Sequence, residues 1–182
     1  MGTPKALLRD HDGVSFLDRS LRVLHDGGCE VLTVVLGAAA GRAQEDLTAS
    51  GWSADRVRVL VAADWPEGMG ASLRTGLRAL ADDPTGESAL VTLVDLPDVD
   101  AEVLRRVAAA GAGPGALVRA TYGGRPGHPV LIGRDHWGGV ADDARGDHGA
   151  RDYLAAHPHV VCECGDLAGG HDVDRPEDLQ PR

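Results

Sequence analysis

Three apolar runs separated by helix-like stretches limit what this chain can fold into. Residues 30–36 read EVLTVVL, residues 57–62 read VRVLVA, and residues 89–94 read ALVTLV. None has the polar alternation of a half-exposed strand, so each reads as a strand covered on both faces by helices. Ahead of the first run, Val14, Leu17, Leu21 and Leu24 fall on one face of a helix over 14–25, which Gly27-Gly28 closes. A weaker helix over 42–49 follows the first strand, a helix over 71–81 the second, and a helix over 101–109 the third, leading to a strand at 116–120. Alternation of this kind calls for parallel strands joined by crossover helices, an α/β fold with a mainly parallel, Rossmann-like sheet in a three-layer α/β/α arrangement.

Beyond Tyr122 the rhythm loosens. Residues 123–129 read as a Gly/Pro loop, 129–132 as a short strand, 147–156 as a helix, 159–163 as a strand and 175–180 as a closing helix. With 182 residues and no linker or repeat, one domain over 1–182 is expected, a nucleotide-binding half at 1–121 carrying an acceptor-binding half at 122–182.

A formal charge of −10 with no basic run excludes a nucleic-acid-binding surface, which needs clustered Lys and Arg. The apolar patch after Lys5 is too short for a signal peptide or a membrane span, and Ala6 removes the hydroxyl of a myristoylation signal. A cytoplasmic protein without membrane contact is expected. Cys162 and Cys164 point the same way along a strand, but no second ligand pair stands at a zinc-finger spacing.

In open α/β sheets, ligands bind beyond the carboxyl ends of the strands. Val94-Asp95-Leu96-Pro97 places a carboxylate at such an end, where it suits a hard cation such as Mg²⁺. The helix-capping role falls to Asp100, just before the apolar run from Val103. Residues 171–178 form a second acidic cluster, in which Asp174 is balanced between capping the last helix and holding a metal. Residues 65–73, WPEGMGASL, form a glycine-containing loop entering a helix, where backbone and ligand can approach closely. It matches neither the dinucleotide fingerprint nor a hydrolase nucleophile elbow. Gly123 to Pro129 reads as an irregular turn, with His128 the one histidine in a suggestive setting.

The segments MGTPKALL at 1–8, EGMGASL at 67–73, DLP at 95–97, GHP at 127–129 and DVDRPEDL at 172–179 together resemble the molybdenum cofactor cytidylyltransferase and guanylyltransferase family. The resemblance spans nearly the whole chain and implies the nucleotide-diphospho-sugar transferase type of fold. It further implies transfer of CMP or GMP from CTP or GTP to the phosphate of molybdopterin, with Mg²⁺ and release of pyrophosphate. Carried over by position, Lys5 would neutralise the triphosphate and Asp95 and Asp174 would hold the metal. Gly68, Gly70 and Ser72 would line the nucleotide pocket, and Arg125 and His128 would face the acceptor. The glycine loop and Gly-His-Pro are most similar to the cytidylyltransferase-like branch.

Family members begin with an apolar strand and a glycine-rich loop, and Met1 aligns with the end of that loop. A chain lacking the strand's four or so aliphatic side chains, at roughly 1.5–3 kcal/mol each, is expected to be fragile. Two alternatives stand beside the molybdopterin reading: a transferase for a sugar phosphate or other small phosphate acceptor, and a non-catalytic nucleotide-binding remnant.

Overall fold

All three apolar runs become strands, and the helices between them fall within a few residues of their expected places. The structure, a computed structural model, describes residues 4–173. Helix α1 (Phe16–Asp26) starts at Ser15, whose side chain accepts the Asp18 amide at 3.0 Å, and buries Phe16, Leu17 and Leu21. Then follow β1 (Leu32–Leu36), α2 (Ala40–Ala49), β2 (Val57–Val61) and α3 (Met69–Ala81). Next come β3 (Ser88–Val91) and α4 (Ala101–Ala109), capped by Asp100, whose carboxylate accepts the amides of Glu102 and Val103 at 2.9 and 3.2 Å.

The second half departs from expectation in three ways. The Gly/Pro stretch after Tyr122 is mostly strand: β4 (Leu117–Tyr122) turns through Gly123-Gly124 into β5 (Arg125–Gly133). Both glycines have positive φ, +59° and +77°, the left-handed backbone that a two-residue hairpin turn requires. A turn this short can join only antiparallel strands, so β5 runs against both β3 and β4. The sheet that holds β5 is therefore mixed, its parallel pair being β4–β6, where β6 is Val160–Glu163, while β1 and β2 pair in parallel apart from it. A helix that periodicity did not reveal, α5 (Arg134–Asp143), follows β5, and the helix expected over 147–156 is shorter, α6 (Arg151–Ala156). The closing helix expected over 175–180 lies outside the described residues.

The strands form two ladders, a two-stranded sheet β1-β2 and a four-stranded sheet in the order β3-β5-β4-β6. Helix α3 packs against β1, β2 and α5 and so spans both. One face of the larger sheet buries Val118, Ala120 and Leu131 against Val103, Leu104 and Val107 of α4. The opposite face buries Leu117, Val130 and Ile132 against Leu77 of α3, Trp137 and Val140 of α5, and Leu154 of α6. That gives the three-layer arrangement. Only the first part of ALVTLV joins the ladder; residues 92–94 run on unpaired and deliver Asp95 to the edge of the sheet. Among the described residues, no helix is long and apolar enough to cross a membrane.

Candidate active site

Asp95 is set in place from both sides of the chain. Downstream, Leu96 and Val99 are buried in the α4 cluster, and the Val99 amide closes a turn onto the Leu96 carbonyl at 3.3 Å. Upstream, Val94 packs against a small cluster of Leu8, Phe16 and Val173. The same cluster positions Lys5: the single helical turn Lys5–Leu7 is held by Leu8, so the lysine chain reaches back across the rim. There the Lys5 ammonium donates to Asp95 Oδ2, an ion pair between a carboxylate only 7% exposed and a lysine 39% exposed. An ion pair in such a setting fixes the direction of the carboxylate at the rim. Residues 90 positions apart in sequence, both singled out from it, thus meet at one point. The backbone carbonyl of Asp95 accepts the amide of Val173 at 2.9 Å. Asp174 lies outside the described residues.

His128 sits in an irregularity of the β4–β5 ladder, where the register shifts between Arg119 and Thr121 and the His128-Pro129 bond is cis. The Tyr122 hydroxyl donates to the His128 carbonyl at 2.5 Å. Burial and the charge of Arg119 lower the imidazole's pKa to about 4, against the opposing pull of Asp95. His128 is accordingly neutral at neutral pH and within electrostatic reach of the Asp95 rim. Arg125 is placed differently: it is exposed near the turn, and its guanidinium meets the His171 imidazole at 2.9 Å and the Gly169 carbonyl at 3.4 Å. The far end of the hairpin is fixed by Glu163, which accepts from the Thr121 hydroxyl and from the amides of Gly123, Gly124 and Gly165.

The glycine loop serves packing first. Gly68 has φ +117°, and a Cβ there would fall 2.6 Å from the Gly146 carbonyl carbon; one on Gly70 would fall 2.7 Å from the Arg145 nitrogen. The amides of Met69 and Gly70, at the start of α3, donate to Asp147 Oδ1 at 3.3 Å and to the Gly146 carbonyl at 2.7 Å. Arg74 locks the same loop by donating to Asp64, to Glu67 and to the Ala144 carbonyl. Ser72 is half-buried in the first turn of α3, and Trp65, 42% exposed, stands against Gly37 at the end of β1.

For a metal, the buried Asp95 offers the hard oxygen that Mg²⁺ or Mn²⁺ prefers. No group of three His, Cys, Asp or Glu side chains converges among the described residues. One carboxylate with substrate phosphates completing the shell is a usual Mg²⁺ arrangement, so the residues fit a metal brought with a nucleotide. The Cys162–Cys164 pair does not: its sulfurs lie 3.9 Å apart in the core, and burial raises the Cys164 thiol to about 12. Reasoning from sequence passed over Arg119, although a lone cation inside the apolar strand LVRATY was a visible signal.

Comparison with known proteins fits this geometry. The family described as MobA-like NTP transferase domain matches residues 1–160. The nicotine blue oxidoreductase of Paenarthrobacter nicotinovorans is 31% identical over 185 residues, covering 97% of this chain and 86% of that protein. The crystal structure of Rv0371c from Mycobacterium tuberculosis H37Rv is 28% identical and superimposes with a TM-score of 0.73, covering 98% of this chain and 87% of that one. A second crystal structure of Rv0371c, in complex with manganese, gives a TM-score of 0.68 at 28% identity, covering 90% of this chain and 82% of that one. A 4-diphosphocytidyl-2C-methyl-D-erythritol synthase, 14% identical, shares the fold with a TM-score of 0.70 over 97% of this chain and 92% of that one. With a matched family spanning most of its length and a buried aspartate at the sheet edge paired to an N-terminal lysine, the chain belongs to the MobA-like NTP transferase family of nucleotidyltransferases.

Proposed function

We propose that this chain transfers CMP or GMP from CTP or GTP to the phosphate of molybdopterin, releasing pyrophosphate. The ion pair of Lys5 with the buried Asp95 carries the reading. An acceptor phosphate oxygen attacks the α-phosphorus, the bond from that phosphorus to the bridging oxygen breaks, and pyrophosphate leaves with the electron pair. The acceptor brings its own nucleophile, so catalysis reduces to alignment and charge neutralisation, with no covalent enzyme species. Lys5 neutralises triphosphate charge. Asp95, joined by Asp174 beyond Val173, holds the divalent cation, Mg²⁺ on this reading; when bound, that cation draws charge from the phosphates. Gly68, Gly70 and Ser72 form the nucleotide wall, in the half over 1–121. Neutral His128 and exposed Arg125 face the acceptor, in the half over 122–182.

Pyrophosphate release should appear with molybdopterin, metal and CTP, more weakly with GTP, and disappear in Asp95→Asn. Activity confined to a sugar phosphate would move the acceptor to that class. A second reading takes its support from the oxidoreductase name of the 31% identical relative. On that reading the site carries out an oxidation or reduction of the kind that name states. A change in the redox state of nicotine blue that depends on this chain and a supplied electron donor or acceptor, with no pyrophosphate formed, would establish it over transfer.

A further inference from the structure

The larger sheet holds a cation, Arg119, that forms no ion pair among the described residues. Arg119 lies in mid-β4, its Cα partners Val130 on β5 and Val161 on β6, with Val91 beyond Val130. It stands two residues along from Leu117, so it shares with Leu117 and Val130 the face covered by α3, α5 and α6. Its Nε is buried and has no hydrogen-bond partner. The carboxylate that shares its face of the sheet is engaged elsewhere, as are those of Asp152 and Asp95. Glu163, one step further along the same face, spends both oxygens on Thr121, Gly123, Gly124 and Gly165. Asp152 is held by His148 and Arg151, and Asp95 by Lys5. Burial and the like charge of Arg151 both work against the charged guanidinium. Arg9, Arg74 and Arg106 each have a carboxylate instead.

A half-buried guanidinium in an apolar row, its Nε–H unmet among the described residues, suits an oxyanion ligand. The register ties the position to the active edge: through Val130, Arg119 stands level with Val91, the last residue of β3, and His128 lies in the bulge beside Val130. We propose that Arg119 anchors the phosphate of the acceptor, binding it from the β4–β5 side of the rim while Lys5 and Asp95 manage the nucleotide. The forked guanidinium suits this task because its Nε–H and an Nη–H can grip two oxygens of one phosphate at once. Arg119 is thus a positioning and specificity residue that selects acceptors carrying a phosphate. This inference rests on the nucleotidyl-transfer reading.

The test uses the full chain and inorganic phosphate as the probe. In wild-type protein without nucleotide, titrated phosphate should shift the Arg119 Nε–H resonance saturably. By calorimetry, Arg119→Met should weaken phosphate about tenfold or more, and Arg119→Lys should recover part of the loss. Affinity for CTP with Mn²⁺ should stay within about twofold in both variants. An Arg119 resonance that phosphate leaves unmoved overturns the proposal, as does an equal loss of CTP affinity in Arg119→Met, which would assign the charge to the nucleotide. The resonance test needs no variant and stands even if a substitution disturbs folding. Absence of any metal-dependent CTP binding by wild type, with the Arg119 resonance still responding to phosphate, would instead overturn the transfer reading alone.

Discussion

Asp95 and Glu163 are carboxylates at strand ends, held in opposite ways. Glu163 takes four neutral donors, three of them backbone amides, and these lower its pKa to about 2. Nothing further can bind it without breaking the turn it builds. Asp95 is more deeply buried yet, among the described residues, has a side-chain partnership with Lys5 alone. Donors shared out to saturation mark a structural carboxylate; a buried carboxylate paired with a lysine side chain and no backbone amide is the one that the proposed function assigns to a ligand.

The comparison can be broken by substitution. Asp95→Asn should cut nucleotidyl transfer by about 100-fold or more while the fold survives, because the charge is lost and the shape kept; turnover and circular dichroism on the same sample check this. Gly68→Ala should cost about 1–3 kcal/mol of stability, read by denaturant unfolding, since φ +117° and the approach of Gly146 exclude a side chain. Glu163→Gln should do the reverse of Asp95→Asn, lowering the melting temperature while turnover per folded molecule stays within about twofold.

Acid sharpens the contrast. The Glu163 carboxyl is held below its usual 4.5, down to about 2, so its stabilisation is complete above 4.5 and lost as pH falls through about 2. Glu163→Gln should remove that part of the acid-unfolding curve. His128 adds an earlier slope. With its pKa at about 4 against 6.5 unfolded, the unfolded chain binds more protons between those values, so stability falls as pH drops from 6.5 towards 4. Melting temperatures of wild type and His128→Gln across that window should converge at the acid end.

Much of this was legible in the sequence wherever one local rule decided. EVLTVVL forms β1, Asp100 caps α4 as its place before Val103 requires, and Lys5 and Asp95, each marked by a motif, meet in one ion pair. What escaped depended on tertiary packing. Helix α5 carries Gly138 and Gly139 in its middle, which suppress the helical signal. Gly139 is needed there because a Cβ would lie 2.6 Å from the Tyr153 ring. Residues 125–129 read as loop because Pro126, Gly127 and Pro129 disfavour strand, yet pairing of Arg125 and Pro126 with β4 at the turn, and of Val130 beyond the bulge, draws them into the hairpin. Arg119 acquired meaning only when its neighbours' carboxylates proved to be engaged elsewhere.

The most direct measurement is calorimetric titration of CTP and GTP into wild type and Asp95→Asn, each with and without Mg²⁺ or Mn²⁺. Saturable nucleotide binding that requires the metal in wild type and is lost in Asp95→Asn is the expected result. Binding of equal strength with and without metal, or unchanged by Asp95→Asn, would contradict the role assigned to the Asp95 rim.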